Sequence, residues 1–160
     1  MKLNNKGVEG RLRIGKLKED QLKKLFDKTG WATREQDIFE HWDFSIHLKI
    51  DVKGMKKTNR YDESTNENIH WLEIKNVNGE EGWLYGEADY FAFETELYWI
   101  IVEKVVLQEW VAKNIQKEWV DTPTKYKLYR RRTGQDIITL VSTHDLYFLS
   151  ETVIRKKEDL

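Results

Sequence analysis

The sequence predicts an α/β fold in a single domain spanning residues 1–160, a central mixed β-sheet flanked by helices. Three observations carry that prediction. The stretches around Leu48–Lys53 and Ile69–Asn76 alternate apolar and polar residues with period two, as strands with one covered face do. Leu97–Val105 reads as a buried strand from the continuous apolar run, Leu97–Val102, that opens it. Directly after it, Val106, Leu107, Trp110, Val111 and Ile115 recur on one helical stripe.

Taken in order, the first ten residues carry Gly and Asn turn formers with little apolar content, so a loose N-terminus is expected. From Lys16, the residues Leu17, Leu22, Leu25 and Phe26 have helical spacing, and Gly30 supplies a stop. Thr33 suits the N-cap of a second helix over Arg34–His41, with Glu35, Gln36 and Asp37 in its first turn. That helix delivers the chain to Asp43, on the first arm of a hairpin whose second arm carries Asp51 and Lys53. Leu48, Ile50 and Val52 should face one side of the second arm, and His47, Lys49, Asp51 and Lys53 the other.

Gly54 ends the strand, and the polar segment 55–68 reads as an exposed loop. In the next strand Leu72 and Ile74 oppose Trp71, Glu73 and Lys75. The run Asn78–Trp83 is a turn signal, with a return strand expected from Trp83 to Tyr85. Residues 88–94 fit a short helix or a short strand. Two more strands are expected over 125–132 and 136–141, with a turn at Gly134. Ser142 or Thr143 then caps a last helix running through Tyr147, Leu149 and Ile154.

The bulk numbers exclude several function classes. A formal net charge of -1 argues against a protein whose whole surface coats polyanions. With no cysteine, thiolate zinc sites, disulfides and cysteine nucleophiles are ruled out. No apolar run approaches the roughly 18–20 residues of a membrane span, and the first residues lack a signal-peptide core. The expectation is a soluble, cytoplasmic protein with no membrane partner.

Chemistry concentrates in Glu40–Lys75. Asp51 and Lys53 are two apart on a strand and leave the same face, and Glu73 is expected on the matching face of a neighbouring strand. Carboxylates gathered that closely repel unless a cation lies between them, and Mg²⁺ or Mn²⁺ takes carboxylate oxygens. Such a cation lowers the pKa of a bound water, and a lysine beside it orients that water or offsets developing charge.

In this respect Asp43, then Asp51-Val52-Lys53, with Glu73 on the following strand, resembles the PD-(D/E)XK nuclease superfamily. The resemblance covers Glu40 to Val105, within a core of about 34–115. It implies a restriction-endonuclease-like core, metal binding by Asp43, Asp51 and Glu73, and phosphodiester hydrolysis assisted by Lys53. Glu40 would be the helical acid that many members carry. The spacer between Asp43 and Asp51 is short, and no proline precedes Asp43. A second register makes Asp51 the first acid and Glu73-Ile74-Lys75 the Glu-x-Lys, with Lys75 in place of Lys53.

Two basic clusters could hold a phosphate backbone: Lys56, Lys57 and Arg60 beside the acids, and Lys125, Lys127 and Arg130–Arg132 with Tyr126 and Tyr129 interleaved. The second cluster equally suits a strand edge guarded by charge. His41 and His47 straddle a helix-to-strand junction that fixes no metal geometry, and Ser142–Asp145 is better explained as a helix cap than as a triad. The expected activity is a metal-dependent endonuclease with Mg²⁺ or Mn²⁺, acting on DNA ahead of RNA, alone, as a homodimer or in a larger complex. The alternative is an inactive nuclease-fold protein that binds or inhibits a protein partner.

Overall fold

A computed structural model describes residues 30–45, 48–57 and 64–156, together with Lys16 and Glu19. The first expected helix therefore lies almost wholly outside the described residues, as do His47 and Arg60. In chain order the elements begin with β1 (Gly30–Trp31), a π-helix (Gln36–Glu40), β2 (Phe44–Ser45), β3 (Lys49–Lys53), β4 (Lys56–Lys57), β5 (Thr65–Asn66) and β6 (Ile69–Lys75). A 3₁₀ turn (Trp83–Tyr85), β7 (Tyr90–Glu94), β8 (Tyr98–Glu103), α1 (Lys104–Asn114) and β9 (Gln116–Val120) follow. The chain continues with β10 (Lys127–Tyr129), β11 (Ile137–Ser142), α2 (Thr143–Leu149) and β12 (Thr152–Arg155).

The class is mixed α/β, but the strands divide among several sheets where one central sheet was expected. A six-stranded sheet runs β1-β2-β3-β7-β8-β12, a four-stranded sheet runs β6-β11-β10-β9, and β4-β5 is a separate ribbon. The larger sheet is mixed because β3 and β7 pair in parallel while its other pairs are antiparallel. β7 takes the place beside β3 that β6 was expected to fill. Phe91, Ala92 and Phe93 are all fully buried, and only a strand covered on both faces can accept such a run. With one face half-polar, β6 becomes the edge of the smaller sheet instead.

The register explains why Asp51 is buried rather than solvated. Asp51 pairs with Phe91 and Lys53 with Phe93, and directly opposed residues share a face of the sheet. That face belongs to the main core, where Phe91, Phe93, Ile100 and Val102 meet Leu72, Val141, Leu107 and Leu146. The other face carries Ile50, Ala92, Trp99 and Ile101, with Val52 and Ile154 packed against them.

Three further differences have local causes. Trp83–Tyr85 forms a 3₁₀ turn because Gly82 lies so close to β6 that a Cβ there would sit 2.4 Å from the Glu73 carbonyl oxygen. Ile154 leaves the last helix for β12, where it pairs with Trp99 of β8 and joins the second cluster. β9 was not foreseen; its residues are mostly exposed and carry no alternation to mark them. Among the described residues no helix is long and apolar enough to cross a membrane.

Candidate active site

Thr33 and Gln36 exchange a reciprocal pair of backbone–side-chain hydrogen bonds (3.2 and 3.0 Å), the capping geometry that starts the helix leading to Asp43. The helix ends in a π-turn, and His41 takes a left-handed φ of 56°. That sharp exit points the chain into the hairpin, where Phe44 pairs with Ile50. The Asp43 N–H donates to the Ile50 carbonyl (3.3 Å), and the Val52 N–H donates to Asp43 Oδ2 (2.8 Å). Asp43 therefore lies against the strand segment that carries Asp51.

Both carboxylates are buried, Asp43 at 9% and Asp51 at 6% exposure. Lys53 Nζ is 2.5 Å from Asp51 Oδ2 and 4.2 Å from the centroid of the Trp83 ring. Burial pushes the Asp43 carboxyl up to about 8; the Asp51 charge adds to this, while the Val52 N–H opposes it. Burial also raises Asp51, against the pull of Lys53. Two buried carboxylates, the charge of Asp51 raising Asp43, with one ammonium to offset them, are a donor set that fits a hard divalent cation. Mg²⁺ is commonly held by one or two carboxylates and keeps several of its waters.

Glu73 does not complete a triad. Among the described residues no group of three or more His, Asp or Glu converges where one ion could bind. Glu73 stands in the smaller sheet, and its Oε2 accepts the Trp83 N–H (3.3 Å). Glu40 is likewise turned elsewhere, accepting from Trp42 Nε1 (2.7 Å) and lying 3.8 Å from Lys49 Nζ. The helical acids that do act on the pair are Glu19, whose negative charge helps to raise Asp43, and Asp37, whose charge helps to raise Asp51. Two helical segments precede Asp43 in the sequence, and nothing in their spacing ranks Glu19 against Glu40.

Lys53 opens onto a cleft of about 770 Å³. One wall is the end of β3, with Val52, Lys53 and Gly54, joined by Lys56. The opposite wall is the smaller sheet, where Glu73, Ile138 and Tyr129 are consecutive partners across three strands and Trp71 lies two residues before Glu73. Arg131, Trp83, His70 and Pro123 complete the lining. Lys56 feels Lys53, Asp51 and Glu73 together; desolvation and then Lys53 push its ammonium below its ordinary value, although its side chain keeps exposed surface at the rim.

The cleft sorts the basic residues. Lys57 lies outside its walls, because successive side chains on β4 point to opposite sides. Lys75, the lysine of the second register, is exposed at the end of β6, beyond the cleft. From the second cluster only Arg131 and Tyr129 line it. Tyr126 is committed elsewhere, its hydroxyl donating to Asp145 (2.6 Å) and its ring packed edge-on against Trp110. Lys127 pairs with Glu118 (2.7 Å), and Arg130 covers Trp119. Ser142 Oγ accepts the Asp145 N–H (3.1 Å), the helix cap expected from the sequence. Comparison of the chain with protein-family models, curated proteins and solved structures returns no match.

Proposed function

We propose that this chain is a metal-dependent nuclease with a restriction-endonuclease-like core, hydrolysing phosphodiester bonds in DNA. The single observation that carries the proposal is the buried Asp43–Asp51 pair, with Lys53 against Asp51 at the mouth of a basic, aromatic cleft. Asp43 and Asp51 would hold Mg²⁺ or Mn²⁺, with Glu19 adding negative charge from the helical side. When bound, the cation supplies a water of lowered pKa and neutralises charge on the phosphate. Lys53 places an ammonium where it can orient the attacking water and offset the charge that develops on phosphorus-bound oxygen. Hydrolysis forms one P–O bond from water and breaks one to a sugar oxygen, which leaves with a proton. Lys56 and Arg131 would hold the polymer by its phosphates.

The exposed side chains of Phe39, Trp119 and Phe148 favour one rival, a protein of the same fold that binds a protein partner without catalysis. The two readings separate when supercoiled plasmid and single-stranded DNA are incubated with Mn²⁺, Mg²⁺ or EDTA beside Asp51→Ala and Lys53→Ala proteins. The nuclease reading expects metal-dependent nicking, lost in Asp51→Ala and reduced at least a hundredfold in Lys53→Ala. It also expects Mn²⁺ to raise the melting temperature of the wild type and not of Asp51→Ala. Neither nicking nor metal-induced stabilisation would leave the binding module standing.

A further inference from the structure

The cleft that carries Lys53 has the composition of a single-strand site. Trp71 and Tyr129 stand 6.4 Å apart between ring centroids, tilted by 42°, on the wall facing Lys53, and both keep partly exposed surface. A base in a duplex has both faces covered by its neighbours, so only an unpaired base can stack on such rings. Beside them Arg131 is prepositioned. Its Nε donates to Asp136, which is completely buried, while the Arg131 side chain stays 48% exposed and lines the cleft. A guanidinium held through one edge presents its remaining N–H groups to a phosphate without first losing rotamer freedom. Lys56 and Lys53 supply positive charge across the gap. The volume of about 770 Å³ lies within the range of clefts that enclose small ligands, roughly 300–1,000 Å³, and so takes a nucleotide or two rather than the width of a duplex.

We infer that the cleft binds an unpaired, single-stranded segment of nucleic acid, one base stacked on Trp71 and Tyr129 and the adjoining phosphate on Arg131. This deepens the nuclease reading and rests on it for the identity of the polymer: the strand to be cut reaches Lys53 as a single strand, a flap or an extruded base.

Binding is measured by fluorescence anisotropy on the full chain in EDTA, where no cutting occurs, with a labelled oligo-dT, the same length of duplex DNA, and oligo-U. The single strands should bind at least tenfold more tightly than the duplex. Trp71→Ala and Tyr129→Ala should each weaken oligo-dT binding about five- to a hundredfold, the range for loss of one stacked base. Trp71→Phe, which keeps a ring, should retain most of the affinity and guards against misfolding of the alanine protein. Arg131→Ala should reduce the salt dependence of log K by about 0.7, as expected for one phosphate on a single strand. Equal affinity for duplex and single strand, or unchanged oligo-dT binding in both alanine proteins, overturns the inference. Metal-dependent cutting of duplex DNA with no single-strand preference would sink this inference alone. Tight single-strand binding with no cutting under any metal would instead sink the nuclease reading.

Discussion

His70 shows what one residue's surroundings can decide. It opens a strand whose text gives it no partner, yet it is 2% exposed, with its ring edge-on to Phe93 and no hydrogen-bond partner for Nε2. Burial, helped by the Lys56 charge, pulls its pKa down to about 4 from 6.5. The folded value is lower, so between about pH 4 and 6.5 the unfolded chain holds more protons, and stability is lost as pH falls through that window. Relative to His70→Gln, the wild type should lose up to about 3 kcal/mol between pH 7 and 4, read from urea midpoints. Asp43 titrates in the opposite sense but is common to both proteins and cancels in the difference. A difference that stays flat with pH would remove the claim that His70 is buried neutral. At this scale Asp51 and Lys53 were legible, because positions two apart on a strand share a face whatever the fold. Glu19 was not, since its effect on Asp43 crosses more than twenty residues of chain.

At the scale of elements, caps and turns were the readable part. Thr33, Ser142 and Gly134 act through neighbours within three residues, so their roles survive any tertiary arrangement. The 3₁₀ turn was not readable, because its cause is the approach of two segments. Gly82 donates its N–H to the Ile74 carbonyl (2.9 Å), and an added Cβ would meet Glu73 backbone atoms at 2.4 and 2.7 Å. That backbone cannot yield without moving β6. Gly82→Ala should therefore cost about 1–3 kcal/mol, the range for forced overpacking. It should also disturb the Trp83 ring that lies beneath Lys53, visible as changed tryptophan fluorescence. An unchanged urea midpoint would show that the two segments separate freely.

For the whole molecule, the end of β3 is tied to the last strand. Glu94 is buried at 3%; its Oε2 accepts the Met55 N–H (3.0 Å) and its Oε1 the Lys156 ammonium (2.9 Å). Met55 follows Gly54, which lines the cleft, so the last strand is tied to the segment that leaves the candidate site. Removing one partner of a buried pair strands the other's charge. Lys156→Met should destabilise by about 3 kcal/mol in chemical unfolding, and adding Glu94→Gln should recover part of that loss. Equal stability of Lys156→Met and wild type would show the pair to be solvated.

By itself the sequence determined the strands around Leu48–Lys53, Ile69–Asn76 and 136–141, the helix that follows Glu103, the cap at Ser142, and that Asp51 and Lys53 leave one face together. Each of these follows from contacts within a turn or two of chain, where period, capping and glycine act directly. Only the tertiary structure decided that β7 and not β6 lies beside β3, that Glu73 stands in another sheet, and that Arg131, Tyr129 and Trp71 gather opposite Lys53. Strand partners are chosen by competition for burial among distant segments. The apolar run Phe91–Phe93 of β7 won the covered place, and the half-polar β6 was left to line the cleft.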